Sequence, residues 1–246
     1  MSREPSVEWT RADVPVVFED DDLLVVDKPA GLVVHPAPGH PGTTLAELFS
    51  GEIAGGDSVE RAGIVHRLDR GTSGLMILAK SPEAHATLQR MIGERAVERE
   101  YLALVEGSPR TRSGRIDAPI GRSARERHRM AIDGAGARAA VSHFEVREQF
   151  SDSSLLSVRL ETGRTHQIRV HMKAIGTPIV GDRTYGGSNR FGLERPFLHS
   201  ARLEFEQRGE PLRHGDGEWY VARAPPDLHG AAPGALWGGH RRQQGR

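Results

Sequence analysis

The sequence predicts an α+β fold. Three observations carry that expectation. Short β-like runs dominate the chain, helical spacing is confined to a few segments, and the two do not alternate in the regular order of a doubly wound sheet. The 246 residues suffice for one large domain or two small ones. At this size a globular fold buries roughly 70–75% of the surface its unfolded chain exposes, so it needs no covalent staple. No internal repeat is visible.

The elements follow in chain order. Val16-Val17-Phe18 and Leu23 to Val26 read as strands around an acidic turn, Glu19 to Asp22. Lys28-Pro29-Ala30-Gly31 breaks the second strand, and Leu32-Val33-Val34 is expected to resume it. Thr43 or Thr44 caps a short helix carrying Leu45, Leu48 and Phe49. Leu75 to Lys80 is a short apolar run, read as a buried strand. Ser81-Pro82-Glu83 then starts a helix: serine caps, proline fits the first helical position, and glutamate complements the dipole. Ala84, Leu88, Met91 and Ile92 fall at helical spacing behind it. Val97 to Val105 alternates as a strand with Tyr101 at its middle.

Arg110 to Arg129 holds seven arginines (110, 112, 115, 122, 125, 127 and 129) and His128 against Asp117 and Glu126. Glycine and proline interrupt it, so it reads as hairpin and loop. Phe144 to Val146 and Leu155 to Leu160 are strands. A helix is expected from Thr165, with Ile168, Met172 and Ile175 on one face and Gly176 closing it. That places Arg164 at the strand-to-helix junction and leaves Arg169 and Lys173 off the apolar face. After Pro225 the composition turns to Gly, Ala, Pro, His and Arg. Residues 226–246 are expected to be a disordered tail with nonspecific affinity for polyanions.

Composition excludes several chemistries. The chain has no cysteine, which removes disulfides, iron–sulfur clusters, thiolate zinc sites and a catalytic thiol. The first residues lack the apolar stretch of a signal peptide, and runs such as Leu75 to Ala79 fall far short of a membrane span. The expectation is a soluble cytoplasmic protein with no membrane partner. Lys+Arg and Asp+Glu are both 33, so no strongly basic coat marks the chain. Only Lys28, Lys80 and Lys173 are lysines; the rest of the basic side chains are arginine. A GC-rich genome accounts for most of that skew, although guanidinium groups also suit phosphate and carboxylate partners.

No metal or cofactor is expected. His66 has no partner at metal-ligand spacing, His166 and His171 fall on different helix faces, and no His-Glu-x-x-His pattern occurs. Gly71-Thr72-Ser73-Gly74 is not a phosphate-binding loop, and Ser73 lacks the Gly-x-Ser-x-Gly elbow. What remains is Gly63 to Gly74, where Asp69 sits among cationic and hydroxyl side chains ahead of an apolar strand. Neighbouring arginines would keep such a carboxylate ionised in a dry pocket, where it can act as nucleophile or base. Ion-paired loop carboxylates are common, so local chemistry by itself favours a structural aspartate.

The wider pattern changes that weighting. His66-Arg67-Leu68-Asp69-Arg70-Gly71-Thr72-Ser73-Gly74-Leu75 resembles the signature of the RluA-type pseudouridine synthases. Lys28-Pro29-Ala30-Gly31 is similar to that family's first motif, and Arg99-Glu100-Tyr101-Leu102-Ala103 to the strand carrying its active-site tyrosine. Thr162 to Met172 resembles its third motif, and Pro196 to Ala201 a late family strand. The similarity covers roughly residues 14–225. It implies a largely antiparallel central sheet with flanking helices and an active-site cleft, preceded by a short extension, residues 1–13. It implies isomerisation of uridine to pseudouridine in ribosomal or transfer RNA. That reaction changes no oxidation state and loses no group, so it requires no cofactor. The uridine must leave its stack and enter a closed pocket.

The resemblance also assigns roles. Asp69 would act on the ribose or the base. Tyr101 would stack on the uracil and serve in proton removal, although a core tyrosine is ordinary on a strand. Arg164 would pair with Asp69, or contact a phosphate. Arg67 matches the arginine that fills the space of the flipped base, and equally suits a phosphate. His66 and Thr72 shape the loop on the substrate side, Lys28 is scaffold or phosphate contact, and Arg169 counts with the substrate-binding residues. Arg110 to Arg129 would face the RNA as a flap. Only about a dozen residues precede Val14, where many relatives carry a small RNA-binding module, so no such module is expected. A monomer is adequate. The competing readings are a noncatalytic RNA-binding or RNA-folding protein on the same scaffold, and a glycoside or nucleoside hydrolase. The latter usually needs two carboxylates, and only Asp69 stands out.

Overall fold

The computed structural model describes residues 8–36, 42–126, 128–205, 218–221 and 226–229. Twelve strands are present among them: β1 (Val16–Glu19), β2 (Leu23–Lys28), β3 (Ser73–Ala79), β4 (Val97–Glu106), β5 (Ser113–Asp117), β6 (Ile120–Arg122), β7 (Met130–Ile132), β8 (Ala135–Arg138), β9 (Val141–Gln149), β10 (Ser153–Leu160), β11 (Leu198–Phe205) and β12 (Glu218–Val221). Four helices accompany them: α1 (Leu45–Leu48), α2 (Pro82–Gly93), α3 (Gln167–Ala174) and α4 (Pro226–His229). The fold is α+β, as expected.

Nine strands form one sheet in the order β1-β2-β3-β11-β4-β10-β9-β5, with β12 also on β11. Every described pairing in it is antiparallel except β3 with β11. The remaining three make a small second sheet, β7-β6-β8. Central strands are covered on both faces, which is why they read as continuous apolar runs instead of alternating ones. Leu24, Val26, Met76 and Leu78 face a core shared with α1 and α3. Leu23, Val25, Leu75, Ile77 and Ala79 face a second core, closed by Ala84, Leu88 and Met91 of α2.

Local chemistry sets the helix ends. Ser81 accepts from the Ala84 N–H and Pro82 opens α2. Thr44 and Glu47 form a capping box on α1. Leu32 to Val34 does not resume β2. Only Val33 bridges, to Thr44, and the Val33 and Val34 carbonyls accept from Leu45 and Ala46 at the start of α1. Strand β11 starts at Leu198, inside the run Pro196 to Ala201 expected as a late strand. The expected tail, residues 226–246, is described only over α4, where Leu228 is buried and Asp227 pairs with Arg195 at 2.7 Å. Residues 230–246 lie outside the described residues.

The parallel contact is short, His199 with Ser73 and Ser200 with Gly74, and then β11 turns to β12. Gly74 makes this approach possible. Its φ is +110°, and a Cβ would stand 2.2 Å from the Ser200 carbonyl oxygen. Gly74→Ala is expected to lower stability by about 3 kcal/mol through overpacking and backbone strain. A denaturant midpoint equal to that of the unchanged protein would show that β3 and β11 need not approach so closely.

Candidate active site

The loop from Gly63 to Thr72 takes its shape from the point where β11 leaves β3. The freed edge of β3 carries backbone donors that must be satisfied. The Ala79 N–H donates to the Gly63 carbonyl at 2.9 Å, Ile64 bridges Leu78, and the Ile77 N–H donates to His66 Nε2 at 3.0 Å. His66 is therefore a neutral ring with its proton on Nδ1. Burial, helped by the charge of Arg99, pushes its pKa down to about 3. Leu68 is buried beneath the loop, and the Thr72 N–H closes a turn on the Asp69 carbonyl at 3.0 Å.

Lys28 supports this loop from behind. Its ammonium is fully buried and donates to the carbonyls of Pro29 and Leu32, both at 2.8 Å, and of Arg70 at 3.5 Å. The Gly31 N–H donates to the same Arg70 carbonyl at 2.7 Å. Of the two roles expected for Lys28, scaffold or phosphate contact, this geometry fits the scaffold. The ammonium is spent on three backbone carbonyls and holds the residue that follows Asp69.

Burial lowers the Lys28 pKa to about 7, against the pull of Asp69. The unfolded amine titrates near 10.5. Between those values the unfolded chain binds more protons, so the stability contributed by this group rises with pH. It is complete above about pH 10.5 and lost as the pH falls through about 7. Thermal unfolding followed from neutral into alkaline solution should show Tm climbing, with the slope reduced in Lys28→Met. Equal slopes in the two proteins would remove Lys28 as the cause.

The third motif folds differently from a plain helix start. Gln167 organises it: its side-chain oxygen accepts from the Arg164 N–H at 3.0 Å and the Thr162 hydroxyl at 2.8 Å. Its amide nitrogen donates to the Val141 carbonyl and to Ser142 Oγ. The helix begins at Gln167, two residues later than expected, because His166 sits in the left-handed region at φ 56°. A non-glycine residue held there is a strained position of the kind that gathers at functional sites. Tyr185 secures it: its hydroxyl is hydrogen-bonded to His166 Nδ1 at 2.8 Å and accepts from the Met130 N–H at 2.9 Å.

Helix α3 is buried on nearly all sides, so the expected division into apolar and polar faces fails. Arg169 is buried because carboxylates meet it. Asp182 accepts from its Nε at 2.7 Å and from its Nη2 at 2.9 Å. Its Nη1 donates to Asp69 Oδ2 at 3.3 Å. Its guanidinium also lies 5.0 Å from the centre of the Tyr185 ring. Arg164 was expected to pair with Asp69 or to contact a phosphate, and Asp69 pairs with Arg169 instead. Arg164 is in the turn ahead of the helix, where its Nε donates to the Ala139 carbonyl at 3.0 Å. The first helical turn brings Arg169, five residues on, to the aspartate instead.

These elements line a half-open cavity of about 450 Å³, within the range of about 300–1,000 Å³ usual for ligand pockets. Asp69, Tyr101, Arg164, His66, Arg67, Thr72 and Arg169 all line it; Lys28 does not. Arg67 is exposed at one side, with its Nη1 3.1 Å from His35 Nε2. Tyr101 is 5% exposed, and burial raises its pKa, so the phenol is neutral at ordinary pH. Among the described residues no three His, Asp or Glu side chains gather as a metal would require, and no helix is long and apolar enough to cross a membrane. Sequence reasoning missed Asp182, Tyr185, Gln167 and Arg99. Asp182 and Tyr185 stand in Gly181-Asp182-Arg183-Thr184-Tyr185-Gly186, a turn whose partners on α3 are set only by the fold.

Comparison with known proteins shows the family and the fold. The family model described as RNA pseudouridylate synthase matches residues 22–174. The ribosomal large subunit pseudouridine synthase D of Pseudomonas aeruginosa is 50% identical over 190 residues, which are 76% of this chain and 59% of that protein. A Bacillus subtilis protein named as an uncharacterized RNA pseudouridine synthase is 43% identical, covering 88% of this chain and 71% of its own length. The chain thus spans about three fifths of the first relative and seven tenths of the second. The structure of human RNA pseudouridylate synthase domain containing 1 superposes with a TM-score of 0.68 at 27% identity, covering 99% of this chain and 94% of that one. By family match, by relatives and by fold, this chain belongs to the RNA pseudouridylate synthases.

Proposed function

We propose that the protein converts uridine to pseudouridine at a specific position of a structured RNA, ribosomal or transfer. The observation that carries this reading is the placement of Asp69, paired to Arg169, in one cavity with the buried ring of Tyr101. A duplex or stacked uridine cannot present its glycosidic bond to such a site, so the nucleotide is flipped out. Tyr101 offers its ring as a stacking surface for the uracil. The N1–C1′ bond breaks, the base turns, and C5 bonds to C1′. C5 gives up a proton and N1 gains one, so the atoms balance and no oxidant or reductant enters. Asp69 acts on the ribose–base unit, and Arg169, itself clamped by Asp182, fixes the carboxylate. His66 and Thr72 set the loop, and Arg67 takes the space the base leaves or meets a phosphate.

The exposed arginines 110, 112, 115, 122 and 125 offer charge to RNA phosphates, although Arg115 is partly spent on Asp117 at 2.8 Å. Arg127 lies outside the described residues. The test is direct. Purified protein is incubated with ribosomal and transfer RNA from cells lacking the gene, and pseudouridine is mapped chemically. A defined new site is expected. No new site in either RNA would overturn the reading.

A further inference from the structure

Arg99 lies on β4 two residues before Tyr101, so both side chains leave the same face of the strand. Both line the cavity. Arg99 is only 5% exposed, and its Nε is buried without a hydrogen-bond partner. Among the described residues the guanidinium has no ion pair either. The two cavity carboxylates are engaged elsewhere. Asp69 faces Arg169, while Glu161 is shared by Arg95, Arg115 and His143. A guanidinium has five donors and no acceptor, and burying it unmatched is costly. Its planar fork suits a two-oxygen anion, a carboxylate or a phosphate.

The chain also leaves room beside it. Gly163 faces the guanidinium, and a Cβ there would stand 3.0 Å from Arg99 Nη1. Two residues along an antiparallel strand advance about 6.8 Å. That is of the order of the span between a pyrimidine ring and the phosphate of its own nucleotide. We propose that Arg99 is a phosphate-binding residue of the cavity, receiving a phosphodiester oxygen next to the uridine that stacks on Tyr101. The proposal rests on an RNA uridine being the substrate. It adds an anion site to a cavity whose other cations have partners or serve the carboxylate.

The experiment compares the unchanged protein with Arg99→Met, Arg99→Lys and Gly163→Ala. Two readouts use the same ribosomal and transfer RNA: RNA affinity across a salt series, and kcat and KM for pseudouridine formation. Loss of one phosphate contact in a single-stranded segment reduces the slope of log K against log salt by about 0.7. Arg99→Met is expected to reduce the slope by that amount and raise KM about ten- to hundredfold, the worth of a charged hydrogen bond, with kcat far less affected. Arg99→Lys should retain the slope. Gly163→Ala, which displaces the guanidinium without removing it, should fall between. Should Arg99→Met fail to fold, the other two variants decide.

An unchanged slope and KM in Arg99→Met and Gly163→Ala, or a fall in kcat alone, would overturn the proposal. If pseudouridine forms while slope and KM stay fixed, the anion site fails and the isomerase reading stands. If no RNA is modified yet the slope falls, the anion site stands and the isomerase reading fails.

Discussion

Asp69→Asn is expected to abolish pseudouridine formation, by about a thousandfold or more, the scale on which a positioned acid, base or nucleophile acts. The substitution keeps size and one oxygen, so the Arg169 Nη1 contact now made at 3.3 Å retains an acceptor. Arg169 in turn stays clamped on Asp182 through two hydrogen bonds. The fold is therefore expected to survive, with Tm moved by no more than a few degrees, equivalent to about 1 kcal/mol. RNA affinity should also survive, since the cavity arginines are untouched. This combination separates catalysis from binding on the same scaffold. A variant that folds, binds RNA and still supports every cellular phenotype would mean that the chain works by binding alone.

Much of the fold is legible because local signals and tertiary burial agree. The β1–β2 hairpin, the Ser81-Pro82 start of α2 and the alternating β4 each combine a period with a cap or turn. The small sheet is not legible. Its strands are three or four residues long, and Ala135 to Arg138 is exposed throughout, so no burial period marks it. Nor is the β3–β11 contact, which joins segments more than a hundred residues apart through two residue pairs. Leu32 to Val34 shows the limit of apolar composition: its carbonyls are captured by the start of α1, and a strand-like run becomes a turn.

The candidate site follows the same rule. Asp69 and Tyr101 sit where motif and chemistry both point. The Asp69 partner does not, because Arg164 and Arg169 are equally plausible cations in one short segment. The choice depends on the left-handed His166, which sets where the helix begins. A helical wheel places Arg169 in solvent. The fold buries it because Asp182, thirteen residues further along and 1% exposed, arrives from another loop to neutralise it. Spacing rules describe a helix against one core face, and α3 is packed on several.

Asp182→Ala carries the other large effect. The carboxylate takes two of the guanidinium donors of Arg169, leaving Asp69 with one longer contact. Removing it strands a buried cation, a loss of about 3–5 kcal/mol. The denaturant midpoint should fall accordingly. Activity should fall as well, and further than the folded fraction accounts for, because an unclamped Arg169 no longer fixes the Asp69 carboxylate. The effect should appear in kcat more than in KM, since the donors of Arg169 are committed to Asp182 and Asp69. Arg169→Met strands Asp182 in the opposite sense and is expected to be comparably destabilising. The double variant removes both charges, and its loss should be smaller than the sum of the two, the mark of a directly coupled pair. Strict additivity would mean that Asp182 and Arg169 stabilise the fold independently. The Asp182–Arg169–Asp69 chain would then be three neighbours rather than one device, and the orientation of Asp69 would have to come from the Thr72 turn and the Lys28 staple alone.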